Sequence, residues 1–160
     1  MSNFDVTQRL MSVSTVYDIA KRGSGAVDMT AYGTFMAASQ EFRLVQGTEG
    51  KELATLKGNF GKTKFQVVGE GEKELASLEF PSVAIKKTLK LNIGGKEYSA
   101  DAGVFSGTFR CADPQGNVAL EIKKEGGLSD KFSVNITDGI APEVGLLAAV
   151  AIHCRFFALV

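Results

Sequence analysis

The last seventeen residues, Val144 to Val160, form a nearly unbroken apolar run (VGLLAAVAIHCRFFALV) behind about 140 residues patterned as short β-strands. A helix that is apolar on every side has to be surrounded, either by lipid or by the protein's own core. The uninterrupted part of the run stops at Ile152, because His153 and Arg155 follow. A membrane span needs about 20 consecutive apolar residues, so this stretch predicts enclosure by protein. The competing reading is a tail anchor whose Arg155 snorkels to the lipid surface. Pro142 and Glu143 suit the first turn of a soluble helix, and Arg155 suits its far end, where the helix dipole favours a cation. Gly145, Ala148, Ala149 and Ala151 would let strands come close to the helix axis.

The preceding residues supply the material for an enclosure. Hydrophobic alternation recurs with a turn signal about every eleven residues, as in sandwiches and barrels. Twelve strands are predicted, approximately Phe4 to Arg9, Thr15 to Ala20, Ala26 to Tyr32, Glu41 to Gln46, Glu52 to Gly58 and Thr63 to Val68 in the first half. The second half gives Glu74 to Phe80, Ile85 to Ile93, Lys96 to Asp101, Phe105 to Cys111, Asn117 to Lys124 and Lys131 to Thr137. Gly94-Gly95 is a two-residue hairpin loop that needs positive φ, and Asp113-Pro114-Gln115-Gly116 has the residues of a type I turn. The expectation is one domain over residues 1–160. It is a mainly β, about twelve-stranded antiparallel barrel (strands about 4–137) enclosing a C-terminal hydrophobic helix at about 141–158.

An internal echo accompanies this spacing. Gly50 to Leu56 (GKELATL) recurs as Glu72 to Leu78 (EKELASL), 22 residues later, and Gly116 to Lys123 (GNVALEIK) falls at three times that offset. Either a unit of aromatic strand, glycine turn and alternating strand is reused, or hairpin chemistry alone converges on the pattern. The succession VYDIAKRG, FRLVQGTEG, FQVVGEGE and FRCADPQG, followed by KFSVNITDGIAPEV and the apolar tail, resembles the tubby C-terminal-like superfamily. It is most similar to the LURP-one-related and phospholipid-scramblase-like branches, over about Phe4 to Phe157. The resemblance implies a twelve-stranded barrel wrapped around a C-terminal helix. It also implies that basic surface residues could meet phosphoinositide headgroups. The chain lacks the Pro-rich region, Cys-rich stretch and acidic calcium loop that the resemblance would require for scramblase activity.

The residues offer little for catalysis. The single histidine, His153, sits in the apolar helix, which predicts a hydrogen-bonded core histidine rather than a general base. Cys154 is its neighbour, but adjacent helical residues point about 100° apart, so the two do not form a dyad. Cys111 and Cys154 lack metal-ligand spacing and read as buried free thiols. Asp28, Asp101, Asp113, Asp130 and Asp138 are scattered singly, as turn formers or caps rather than calcium ligands. Gly61-Lys62-Thr63 lacks the upstream glycine of a phosphate loop. The chain is therefore expected to be no enzyme, with no cofactor and no metal.

Eighteen basic residues cancel eighteen acidic ones, so no global field points to nucleic acid or to an anionic surface. Binding of either would need a local patch. Lys86, Lys87 and Lys90 on one predicted strand, with Lys62 and Lys64 nearby in sequence, are the candidate residues for an anionic phospholipid. The plainer reading of these lysines is a solvated barrel surface. The N-terminus has no continuous apolar segment of the export type, which predicts a cytoplasmic protein, peripheral at membranes if the lipid reading holds. The expected function is a non-catalytic binding or structural interaction module. Its partner would be another protein, a second copy meeting it at a strand edge or barrel wall, or a phospholipid headgroup, with no transmembrane span and no nucleic acid.

Overall fold

The computed structural model describes residues 1–9, 14–34, 39–82, 87–102, 107–125 and 130–156. Its strands are β1 (Ser2–Gln8), β2 (Val16–Lys21), β3 (Met29–Gly33), β4 (Glu41–Gln46), β5 (Glu52–Gly58) and β6 (Lys64–Val68), then β7 (Glu74–Glu79), β8 (Lys87–Ile93), β9 (Lys96–Ala102), β10 (Thr108–Ala112), β11 (Val118–Lys124) and β12 (Lys131–Ile136). One helix, α1 (Pro142–Phe156), follows them. Every strand pairs antiparallel with its neighbours in sequence, and β1 closes the ring against β12. A closed ring has no edge strand, so assembly through a free strand edge has no edge to use.

The helix fills the ring. From Val144 to Cys154 every residue is buried, and Leu146 to Ala149 are fully so. Gly145 shows how close the wall comes, since a Cβ there would stand 2.6 Å from Ile136 Cδ1 on β12. Pro142 and Glu143 open the helix, and His153 and Arg155 lie in its last turn, as the helix dipole favours. No described helix is long and apolar enough to cross a membrane. Ala149 is fully buried inside the ring, so Ala149→Leu should overpack it and lower stability by about 1–3 kcal/mol in urea unfolding. An unchanged midpoint would contradict enclosure.

The barrel has two unlike ends. At the foot lie the turns from β2 to β3, β4 to β5, β6 to β7, β8 to β9 and β10 to β11, together with the passage from β12 into the helix. The Met1 amine meets Asp138 there. At the crown lie the β5–β6 turn and the last turn of the helix. Crown-side packing follows a rule visible along the chain: the second residue of β2, β4, β6, β10 and β12 is Tyr17, Phe42, Phe65, Phe109 and Phe132, all buried. These rings form a collar around the helix end, and Phe80 and Phe156 join it, with centroids 5.3 Å apart. Gly58 makes room for this collar, because a Cβ there would lie 2.5 Å from the Phe65 ring.

The internal echo has a geometric counterpart. Register shifts fall between Leu44 and Val45, Val67 and Val68, and Cys111 and Ala112, in each case late in a strand whose second residue is a buried phenylalanine. Each bulge is followed by a turn and a strand of the repeated type (β5, β7, β11). Gly94 (φ 58°) and Gly95 (φ 87°) both adopt positive φ in the β8–β9 hairpin. In the β10–β11 turn, Gly116 N–H donates to the Asp113 carbonyl at 2.9 Å.

Several boundaries differ from expectation. β1 begins at Ser2 rather than Phe4, because Ser2 and Asn3 are already in register with Ile136 and Asn135 of β12. β3 begins at Met29 rather than Ala26: Asp28 accepts from Lys21 N–H and Ser24 Oγ bonds to Ala26, which holds the preceding residues in a turn. The predicted strand starts at Ile85 and Phe105 and the helix end at 158 lie outside the described residues.

Candidate functional site

Two groups of residues at the crown stand out, one buried and one exposed. Within the collar, Tyr17 Oη is hydrogen-bonded to His153 Nδ1 at 2.9 Å and lies 3.5 Å from Cys154 Sγ. A phenol carries one proton and two lone pairs, so Tyr17 can donate to one of these neighbours and accept from the other. The Phe132 ring stacks on the imidazole at 4.6 Å and 16°. His153 is thus the hydrogen-bonded core histidine expected of it. What the sequence did not show is that His153 and Cys154, though on different faces of one turn, share a partner 136 residues away.

Burial sets the chemistry of this cluster. It pushes the Cys154 thiol up to about 11, against the smaller opposing effects of the Tyr17 hydrogen bond and the Lys62 charge. Burial likewise raises Cys111 to about 12 and lifts Tyr17 well above its ordinary value. Near neutral pH both thiols are protonated, and a protonated thiol is a weak nucleophile. The arrangement tethers the end of the helix to β2 and does not activate a group. Among the described residues, no three His, Cys, Asp or Glu side chains come together as metal ligands.

Asp28 and Asp113 serve turns. Asp113 accepts from the backbone N–H of Asn117 and of Gln115, at 2.9 and 3.0 Å, and the Asn117 bond leads the causes that hold its carboxyl below the usual range.

The exposed group is the β5–β6 turn. Asn59 Oδ1 accepts from the N–H groups of Thr63 and Lys64 at 2.9 and 3.2 Å, and Asn59 Nδ2 donates to Thr63 Oγ1 at 2.8 Å. The turn so fixed holds Phe60 outward at 83% exposure. Lys62 lies in this turn and Lys64 opens β6, and neither has an ion-pair partner among the described residues. Phe60 is not among the residues that the sequence singled out. An aromatic residue in a glycine-containing turn between lysines was the available signal.

The candidate lysines therefore divide. Lys62 and Lys64 stand at the crown, while Lys90 lies mid-strand on the outer wall. Register places Lys64, Glu79, Lys90 and Ser99 in one row across β6 to β9, so a carboxylate sits between two of the lysines. Lys87 opens β8, its backbone in register with Ala102. Lys86 lies outside the described residues.

Zero net charge also hides a polarity. The foot carries Asp28, Glu49, Glu52, Glu70, Glu72, Glu74, Glu97, Asp113, Asp138 and Glu143 against Lys21, Arg22, Lys51, Lys73 and Lys96. Because the chain is neutral as a whole, the remainder holds an equal excess of bases. Compared with protein-family models and with curated proteins, the chain matches none.

Proposed function

We propose that the protein is a non-catalytic binding module of the tubby-like, LURP-one-related type, and that its crown docks on anionic phospholipid headgroups at the cytoplasmic face of a membrane. The ring of twelve strands around a C-terminal helix supports the kinship. The observation that carries the docking is Phe60, held out at the crown in the turn that also carries Lys62 and leads into Lys64, while the excess acid lies at the opposite end. Burying a phenylalanine is worth about 1.5–3 kcal/mol, and each lysine near an anionic leaflet about 1 kcal/mol. Together they suffice for weak, reversible recruitment that salt weakens. The acidic foot would be repelled by the same surface, which orients the barrel crown-down.

Flotation with vesicles of phosphatidylserine and phosphatidylcholine tests this. The full chain should float at low salt and be released at high salt. Phe60→Ala should reduce the bound fraction about tenfold, and Lys62→Glu with Lys64→Glu by at least as much. A chain that stays with the soluble fraction at low salt, or binding unaffected by these substitutions, would sink the proposal.

A further inference from the structure

β9 and β10 are the neighbours in the closed ring with the fewest register pairs among the described residues. Ala112↔Ser99 is their one register pair among the described residues, whereas β8 and β9 share seven. A cleft of about 580 Å³ lies on the wall across β7 to β10. Ligand sites commonly have volumes of about 300–1,000 Å³. The floor consists of side chains that otherwise belong to the core, namely Phe80, Leu89 and Ala100. Its outer rim carries Lys90, Arg110 and Glu79.

The rim charges indicate what the cleft can hold. Lys90 has no hydrogen-bond or ion-pair partner among the described residues. Arg110 gives its Nε–H to Glu121 at 2.6 Å, and its terminal nitrogens make no hydrogen bond to the described residues. Glu79 is in register with Lys90 but forms no ion pair with it, while Arg110 is ion-paired with Glu121, so Lys90 is the rim cation without a carboxylate partner among the described residues. An apolar floor beneath N–H donors of positive charge is complementary to an apolar chain with an anionic head.

The geometry points to a binding site for one amphipathic carboxylate, its aliphatic chain on Phe80, Leu89 and Ala100 and its head between Lys90 and Arg110. Carboxylate recognition by these two side chains uses charge-assisted hydrogen bonds, the stronger class. The site uses Lys90 and Arg110 rather than Phe60 and Lys62, so dodecanoate binding and vesicle docking are tested separately.

Calorimetric titration with sodium dodecanoate below its micelle concentration tests it. Saturable binding of one molecule per chain is expected, at least tenfold tighter than for the uncharged dodecanol. Ser99 is exposed at the cleft, so Ser99→Trp should fill it and abolish binding while the melting temperature holds. Lys90→Glu should weaken binding at least tenfold, Glu79→Gln should tighten it, and Lys62→Glu should leave it unchanged. Absence of binding, equal affinity for the alcohol, or full affinity in a folded Ser99→Trp protein would overturn the assignment.

Discussion

Phe132→Ala should cost about 3–5 kcal/mol of stability, the range for deleting a fully buried phenylalanine from a core that cannot collapse around the gap. The ring is 1% exposed, lies flat on His153 and meets Tyr17 edge-on at 6.2 Å. Its loss leaves the hydrogen-bonded Tyr17–His153 pair beside a void, in the part of the barrel where the helix ends. Relaxation into that void is limited on both sides, because β12 is held by β1 and β11 and the helix is held by the whole ring. A single domain of this length has about 5–15 kcal/mol in total, so the variant should melt on the order of 10 °C lower. Phe60→Ala is the internal control. It removes the same ring from an exposed turn and should shift stability by no more than about 0.5 kcal/mol. Similar melting temperatures for the two variants would show that the collar does not secure the helix.

The contrast between those two phenylalanines also marks where the sequence is informative. Phe132, Phe42 and Phe65 stand second in strands whose apolar residues alternate, so period alone assigns them to the interior. The enclosed helix was legible for a similar reason: nine apolar residues before His153 are too few for lipid and too many for a surface. Turn chemistry fixed the Gly94-Gly95 hairpin, whose two positive φ angles no ordinary residue adopts easily. The features that build a site were less visible. Tyr17 meets His153 only because ring closure brings β2 beside the helix end, a relation between residues 136 apart. The single register pair between β9 and β10 among the described residues is a property of two strands together, and neither strand shows it alone. The lysines looked alike along the chain. Their separation into crown and wall depends on which connection each one borders.

Alkaline pH should unfold this barrel sooner than its aspect as a well-packed core suggests. Cys111 and Cys154 have folded values of about 12 and about 11, raised by burial above the ordinary 9.0, and Tyr17 is raised as well. A raised acid holds its proton more tightly in the native state than in the unfolded chain. That contribution is complete below about pH 9 and is lost as pH climbs through the folded values. Each thiol then subtracts up to about 1.4 kcal/mol per pH unit, so the pair removes on the order of 5 kcal/mol by about pH 11. Urea midpoints measured from about pH 8 to 11 would record this slope. The Cys111→Ala, Cys154→Ala double variant should start lower, because two buried sulfurs leave cavities, but should fall less steeply above about pH 9. The distinction lies in the slope, which a loss of packing alone does not alter. Parallel curves for the variant and the parent would mean that the thiols are not held protonated by burial, and that water reaches the helix end despite the aromatic collar.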